Sequence, residues 1–253
     1  MSERVVRYLA AGMADVPPHD DWMSGPERER IAGFRYTKRR DETRLGRWTA
    51  KRAIAQVLDR SDDADGLQRL VVRNAADGAP EAFEVERPLP IRISMTDRAD
   101  WAVCVVAIGD VGIGCDLEVV EPRSDRFVAD YFTGAEQALV AARPGEMALL
   151  ANLIWSAKES ALKVLRTGLR RDTRSVEVSL PPDESVDGWA RLRVTTDEGL
   201  RFDGWWCRFG QFILTCAADR PIPPPTSLVE PAALLAAEPT HRWMANPRPP
   251  APN

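Results

Sequence analysis

Two short segments hold the residues whose types and spacing could do chemistry. Val111-Gly112-Ile113-Gly114-Cys115-Asp116-Leu117-Glu118 ends on two carboxylates, and Trp155-Ser156-Ala157-Lys158-Glu159-Ser160-Ala161-Leu162-Lys163 carries one acid and two lysines. The apolar run from Val111 to Leu117 predicts a strand. Successive strand side chains face opposite ways, so Asp116 and Glu118 share one face while Cys115 and Leu117 share the other. Carboxylates placed side by side repel each other unless a cation sits between them. On a helix, a spacing of four puts Trp155, Glu159 and Lys163 along one stripe, an acid and a base within reach of each other. Each segment also has an ordinary reading: a solvated strand edge for Asp116 and Glu118, an i,i+4 surface pair for Glu159 and Lys163.

The elements that must position these residues follow from the pattern around them. Trp101 to Ile108, a Gly109-Asp110 turn and Val111 to Glu118 read as a hairpin. A helical stretch from Phe127 to Ala142 precedes the motif helix, Ala148 to Arg166, which stops near Gly168. Upstream, Asp41 to Leu58 has helical periodicity, Asp62 to Gly66 reads as a loop, Leu67 to Val72 as a short strand, and Asp77-Gly78-Ala79-Pro80 as a turn. Downstream, Val176 to Leu180, Ala190 to Thr195, Gly204 to Phe209 and Phe212 to Ala217 alternate as strands, and the order of helices and strands predicts an α+β protein. Ten of the 20 prolines fall from Pro221 onward, so this tail is expected to be extended or disordered, with one or two helical turns within Leu228 to Glu238.

Composition narrows the function classes. A chain of 253 residues with 44% hydrophobic and 28% charged residues can bury a full core as one domain or two small ones. Its longest apolar run, Trp101 to Ile108, cannot cross a bilayer, and the N-terminus places charges where a signal peptide needs an apolar stretch. The expectation is a cytoplasmic protein without a membrane partner. Cys104, Cys115, Cys207 and Cys216 form no Cys-x-x-Cys pair, which argues against zinc or a disulfide framework. His19 and His241 lie near the ends, outside every motif, which argues against a nucleophilic triad.

A net charge of -4 hides a basic block, with ten basic against three acidic residues between Arg28 and Arg52. Arg40, Arg44, Arg47 and Lys51 would line one helix face beside an apolar face of Gly46, Ala50, Ala53, Ile54 and Val57, and that basic face must meet water or anions. A solvated face is the plain reading. Nucleic acid is the other usual partner, although aromatic residues are few in the block and the overall charge is acidic.

In order along the chain, Gly114-Cys115-Asp116-Leu117-Glu118, Phe132-Thr133-Gly134-Ala135-Glu136 and Trp155-x-x-Lys158-Glu159-x-x-x-Lys163 resemble the signatures of the Sfp-type 4'-phosphopantetheinyl transferases, over roughly residues 25 to 218. The resemblance implies two similar α+β halves related by a pseudo-twofold: residues 1–112 on the side of the coenzyme A 3'-phosphate, residues 113–220 with the metal and catalytic motifs, and a Pro-rich tail, 221–253. Coenzyme A would lie in the cleft between the halves. The implied activity is transfer of 4'-phosphopantetheine to a serine of an acyl or peptidyl carrier protein by a monomer that has no nucleic-acid partner. Mg2+ would be held by Asp116, Glu118 and Glu159. Asp116, Glu159 and Lys163 are the implied catalytic residues: Glu159 would take the serine proton, Lys158 and Lys163 would steady the pyrophosphate, and Lys163 could protonate the departing 3',5'-ADP.

Lys38-Arg39-Arg40-x-Glu42-x-x-x-Gly46-Arg47 is similar to the family's 3'-phosphate segment, with Arg39, Arg40 and Thr43 as the implied contacts at a helix N-terminus. Ser94-Met95-Thr96 stands where the family has a Ser-His-Ser phosphate grip, and Ala79 stands where it has a phosphate-reaching lysine. Met95 can neither donate a hydrogen bond nor carry charge. Those two departures leave an alternative: a non-enzymatic or diverged descendant that binds coenzyme A or a carrier protein.

Overall fold

The computed structural model describes residues 5–182 and 185–242. It is a mixed α+β structure in which one order of elements occurs twice. The first run is β1 (Val6–Gly12), α1 (Gly25–Ala32), α2 (Thr37–Val57), α3 (Ala64–Arg69), β2 (Leu70–Asn74), β3 (Pro80–Glu84), β4 (Arg87–Pro88), β5 (Ile91–Arg98) and β6 (Trp101–Ile108). The second is β7 (Ile113–Val119), α4 (Asp125–Tyr131), α5 (Gly134–Ala141), α6 (Met147–Val164), β8 (Val176–Ser179), β9 (Ser185–Val186), β10 (Trp189–Thr196), β11 (Arg201–Phe209) and β12 (Phe212–Ala218). β13 (Thr226–Ser227) and α7 (Ala232–Leu235) follow.

Strands β13, β1, β6 and β5 form one sheet, β7, β12, β11, β10 and β8 a second with β9 beside β10, and β2, β3 and β4 a small third. Alternation assigns the faces. Val103, Val105 and Ala107 of β6 pack with Cys115, Leu117 and Val119 of β7 and Leu214 and Cys216 of β12 in a central apolar layer. On the other side of β6, Ala102, Cys104 and Val106 meet Leu45, Ala50, Ala53 and Ile54 of α2. A third cluster seats Ile154, Ala157, Ala161 and Leu162 of α6 against Val176, Val178, Leu192 and Val194. Each large sheet therefore carries one long amphipathic helix.

Several sequence expectations change. Strands β6 and β7 are consecutive but lie in different sheets, so the expected 101–118 hairpin does not form. The hairpin is β5–β6, turned by Ala99 and Asp100 with φ of 49° and 64°, a left-handed pair that this dipeptide does not advertise. Asp63 caps α3 by accepting from the Gly66 N–H at 2.7 Å, so a helix begins where a loop and strand were read. The 127–142 stretch divides at Phe132 because Thr133 and Glu136 form a capping box that starts α5. The described part of the tail takes the extended alternative rather than the disordered one, with a helical turn at α7 inside Leu228 to Glu238 as expected: β13 pairs with β1 in parallel and Leu234 is fully buried. Residues 1–4, with the N-terminal charges, and 243–253, the end of the expected tail, lie outside the described residues.

Candidate active site

The seam between the two large sheets builds the site. β5 and β7 are edge strands of different sheets, and β5 side chains bridge them. Ser94 Oγ accepts the Cys115 N–H at 2.9 Å and Thr96 Oγ1 accepts the Leu117 N–H at 3.1 Å. Thr96 Oγ1 also donates to Asp116 Oδ1 at 3.2 Å. The expected phosphate grip of Thr96 is thus replaced by a stitch between strands, whereas Ser94, though stitched, still lines a cavity.

Helix α6 lies directly on β7. A Cβ at Gly114 would stand 2.0 Å from the Ser160 carbonyl oxygen, so only glycine permits this approach. Ser156 Oγ donates to the Asp116 carbonyl oxygen at 3.0 Å. The approach brings Lys163 Nζ to the Cys115 carbonyl oxygen at 2.8 Å and to Asp116 Oδ1 at 3.0 Å. Burial works most strongly against the charge on Lys163, but Asp116, Cys115 and Glu159 together outweigh it and raise the ammonium to about 12. Lys163 is consequently a fixed positive charge, and the expected role as proton donor to the leaving group does not suit it.

Asp116 and Glu118 do share one face of β7, and both are buried rather than a solvated edge. Their surroundings differ. Asp116 has Oδ1 held by Lys163 and Thr96, while Oδ2 is buried with no hydrogen-bond partner among the described residues. Glu118 Oε2 accepts from Arg98 Nε and Arg123 Nη2, each at 3.2 Å. Arg98 Nη2 continues to Glu121 at 2.8 Å, and Arg123 Nε to Asn152 Oδ1 at 2.6 Å. Burial, then the charge of Asp116, raises Glu118 to about 7 against the pull of both arginines. Glu159, one turn before Lys163, is also raised to about 7, first by burial and then by Asp116.

These residues fit a divalent cation in part. The bare Oδ2 of Asp116 and the Asp116 repulsion that adds to burial in raising Glu159 are what a hard cation between carboxylates would relieve. Among the described residues, no group of three His, Cys, Asp or Glu side chains converges to hold a metal. The expected trio is not assembled because Glu118 turns to Arg98 and Arg123, leaving Asp116 and Glu159 as the better donors.

Lys158 lies on another face of α6 from Glu159. It is fully buried, 2.8 Å from Glu136, and donates to the carbonyl oxygens of Thr173 and Val176, which corrects its expected place at the pyrophosphate. Both oxygens of Glu136 are engaged: Oε2, which pairs with Lys158, also accepts the Thr133 N–H within its capping box, and Oε1 accepts the Val178 N–H at 2.7 Å. The same construction occurs in the first run. Glu27, in a capping box with Ser24, pairs with buried Lys51 at 2.5 Å and accepts the Val72 N–H at 3.2 Å.

The basic face of α2 is therefore largely turned inward. Arg44 bonds Asp20 at 2.8 Å, Arg47 bonds Asn74 at 2.8 Å and approaches Glu27, and Lys51 is buried. The N-terminal turn remains open. Tyr36 at the N-cap provides no side-chain cap, leaving the first N–H groups of α2 facing outward. Lys38, Arg39 and Thr43 line a cavity of about 600 Å³ there, with Glu42, Phe34, Tyr36, Met95 and Asp97. Arg39 lies over the Phe34 ring at 5.2 Å, Thr43 donates to the Arg39 carbonyl oxygen at 2.7 Å, and Arg40 bonds the Phe34 carbonyl oxygen at 3.3 Å, outside the cavity lining.

A second cavity, about 700 Å³, runs past Ala79, Ser94, Lys163, Arg166 and Arg170. Arg47, Asn74 and Met95 border both, so the two form one cleft. The Met95 sulfur stands 3.9 Å from Arg47 Nη1. Sequence reasoning missed Asp97 and the partner of the arginines that follow α6. Asp97, solvent-facing but enclosed by cleft walls, is raised to about 6 by that enclosure and then by Glu42, with Lys163 pulling the other way. Arg166 holds Asp77 with two nitrogens, at 2.6 and 3.1 Å, opposite the turn that carries Ala79, and Arg170 joins it at the Asp77 carbonyl oxygen. In the sequence, Arg166, Arg170, Arg171 and Arg174 read as a second basic cluster after the motif helix, near the expected site; that Arg166 pairs with Asp77, 89 residues away, was not legible.

Comparison with known proteins bears on this half of the chain. Residues 112–193 match the model of the 4'-phosphopantetheinyl transferase superfamily, a stretch that holds Asp116, Glu118, Glu136, Lys158, Glu159 and Lys163. A holo-[acyl-carrier-protein] synthase of Jannaschia sp. (strain CCS1) is 36% identical over 97 residues, covering 33% of this chain and 64% of that protein. The chain thus spans less than two thirds of that relative's length.

Proposed function

We propose that the protein transfers 4'-phosphopantetheine from coenzyme A to a serine of an acyl or peptidyl carrier protein, with Mg2+, as an Sfp-type transferase. The observation that carries this reading is the Asp116 carboxylate, held on Oδ1 by Lys163 and Thr96 and bare on Oδ2, beside a second carboxylate at Glu159 and next to a two-chambered cleft. In the reaction the serine oxygen forms a bond to the phosphorus bearing pantetheine, the bridging P–O bond breaks, and 3',5'-ADP leaves. Such transfer depends on positioning and charge neutralisation more than on covalent chemistry.

Glu159, raised to about 7 in the cation-free site, would take the serine proton directly or through a metal-bound water. Lys163 provides a permanent charge against the pyrophosphate, and the open end of α2 with Lys38, Arg39 and Thr43 takes the 3'-phosphate. Arg166 and Arg170 stand where the lysine absent at Ala79 would be needed. Asp116 and Glu159 would hold Mg2+, with Glu118 able to join them only by leaving Arg98 and Arg123, and the ion would supply neutralisation of the pyrophosphate charge. The recurring brace, Glu27–Lys51 and Glu136–Lys158, supports a reading in which two similar halves meet near residue 112 about a pseudo-twofold, with the coenzyme between them. Intact-mass analysis of a carrier protein incubated with the protein, coenzyme A and Mg2+ tests the reading. A gain of one phosphopantetheine on serine is expected; coenzyme binding without any gain on every carrier would favour the non-enzymatic descendant.

A further inference from the structure

The described part of the segment after β12, assigned no chemistry from its sequence, runs over both large sheets and reaches, at residue 241, the arginine that binds Glu118. The Ile222 carbonyl oxygen accepts the Trp205 Nε1–H at 3.0 Å, Thr226 and Ser227 pair with Arg7 and Tyr8 of β1, and the Leu228 N–H reaches the Tyr8 carbonyl oxygen at 2.8 Å. Leu234 is fully buried in the central layer that holds Tyr8, Trp189 and Phe209. The strap then crosses the β11–β12 turn so closely that a Cβ at Gly210, φ +56°, would stand 2.3 Å from the Leu235 carbonyl oxygen. Glu238 and Arg242 both bond Gln211. Between them, His241 Nε2 comes 3.4 Å from Arg98 Nη1.

Arg98 belongs to β5, and its Nε and Nη2 bind Glu118 and Glu121 on the far side of the seam. It is therefore the cation through which the first half fixes the orientation of Glu118. A guanidinium nitrogen only donates, so His241 meets it as an acceptor, with its other ring nitrogen 3.3 Å from Thr240 Oγ1. Burial, then Lys38 and Arg98, hold the imidazole below its usual pKa, in keeping with the unprotonated Nε2 that this contact needs.

We propose that His241 is a positioning residue for Glu118, acting through Arg98, and that the C-terminal strap delivers it to the site. The kinetic arm of the test rests on the transfer reading above; the structural arm does not. His241→Ala and His241→Gln are made in the full chain and compared with wild type by amide hydrogen exchange and by steady-state carrier modification. His241→Ala should speed exchange across residues 97–101 and 117–123 but not across α2, and lower kcat with KM for coenzyme A unchanged, each by roughly three- to tenfold, the scale of one ordinary hydrogen bond. His241→Gln, whose amide oxygen can accept from Arg98, should restore both. Unchanged exchange in His241→Ala, equal impairment in His241→Gln, or a uniform rise in exchange over the whole chain would overturn the proposal. A wild type inert on every carrier would count against the transfer reading, while the exchange comparison still decides the role of His241.

Discussion

Replacing Glu159 with Gln should stabilise the protein at pH 8 while removing its proposed activity. In the folded chain, burial and the Asp116 carboxylate raise Glu159 from 4.5 to about 7. A carboxyl whose folded pKa exceeds its unfolded value costs nothing when both states are protonated; the cost grows as pH rises from 4.5 and is complete above about 7. The full shift corresponds to about 3 kcal/mol, which partial solvent access reduces to about 1–3 kcal/mol. Gln keeps the shape and removes the charge. Urea denaturation of the metal-free protein should therefore show the variant more stable by about 1–3 kcal/mol at pH 8 and equal to wild type near pH 4. Carrier modification by the same variant should fall to background, because a residue costly to the fold but needed for function gives opposite changes in stability and activity. A variant less stable than wild type at pH 8 would show that Glu159 is a structural carboxylate and refute the reasoning.

Three further outcomes are expected. Lys158→Met should cost about 3–5 kcal/mol in urea melts by stranding the buried Glu136, with the KM for coenzyme A unaltered in the folded fraction; a raised KM with full stability would return Lys158 to the phosphates. Gly114→Ala should cost about 3 kcal/mol or more, since its methyl would meet the Ser160 carbonyl oxygen at 2.0 Å and α6 must shift, whereas Gly145→Ala, with open space around it, should change the melting temperature little. Met95→His puts a donor where the two chambers of the cleft join, and calorimetry should show coenzyme A bound more tightly by about tenfold, the scale of one hydrogen bond to a charged group; unchanged affinity would mean that the phosphates lie away from residue 95.

What the sequence made legible was local. Alternation along β7 put Asp116 and Glu118 on one face, and the spacing of four put Glu159 and Lys163 on one stripe; both arrangements depend only on backbone geometry. The α+β class and the strands of the second half were legible for the same reason. Partners distant in sequence were not. Nothing near Lys51 or Arg44 announces that Glu27 and Asp20 will neutralise them, so the basic face of α2 read as open to anions. Likewise the hairpin misplaced at 101–118 had good local turn chemistry, and only the pairing of β7 with β12, about a hundred residues later, overrode it.

Lys158 and Glu159 show how that limit operates at a single helix turn. Adjacent helical residues are about 100° apart, so a motif that places a lysine beside a glutamate cannot send both to one ligand. Pattern alone leaves open which of the two faces the cleft. The fold decides, because Phe132 begins a segment whose capping-box glutamate, Glu136, comes to rest under α6, 2.8 Å from Lys158. Once Lys158 neutralises Glu136 and fastens α5 and β8 to α6, the helix has one rotation left about its axis, and that rotation turns Glu159 and Lys163 toward Asp116. The buried lysine thus acts on the site by fixing the helix that carries it, and the motif combines residues that set the orientation with residues that use it.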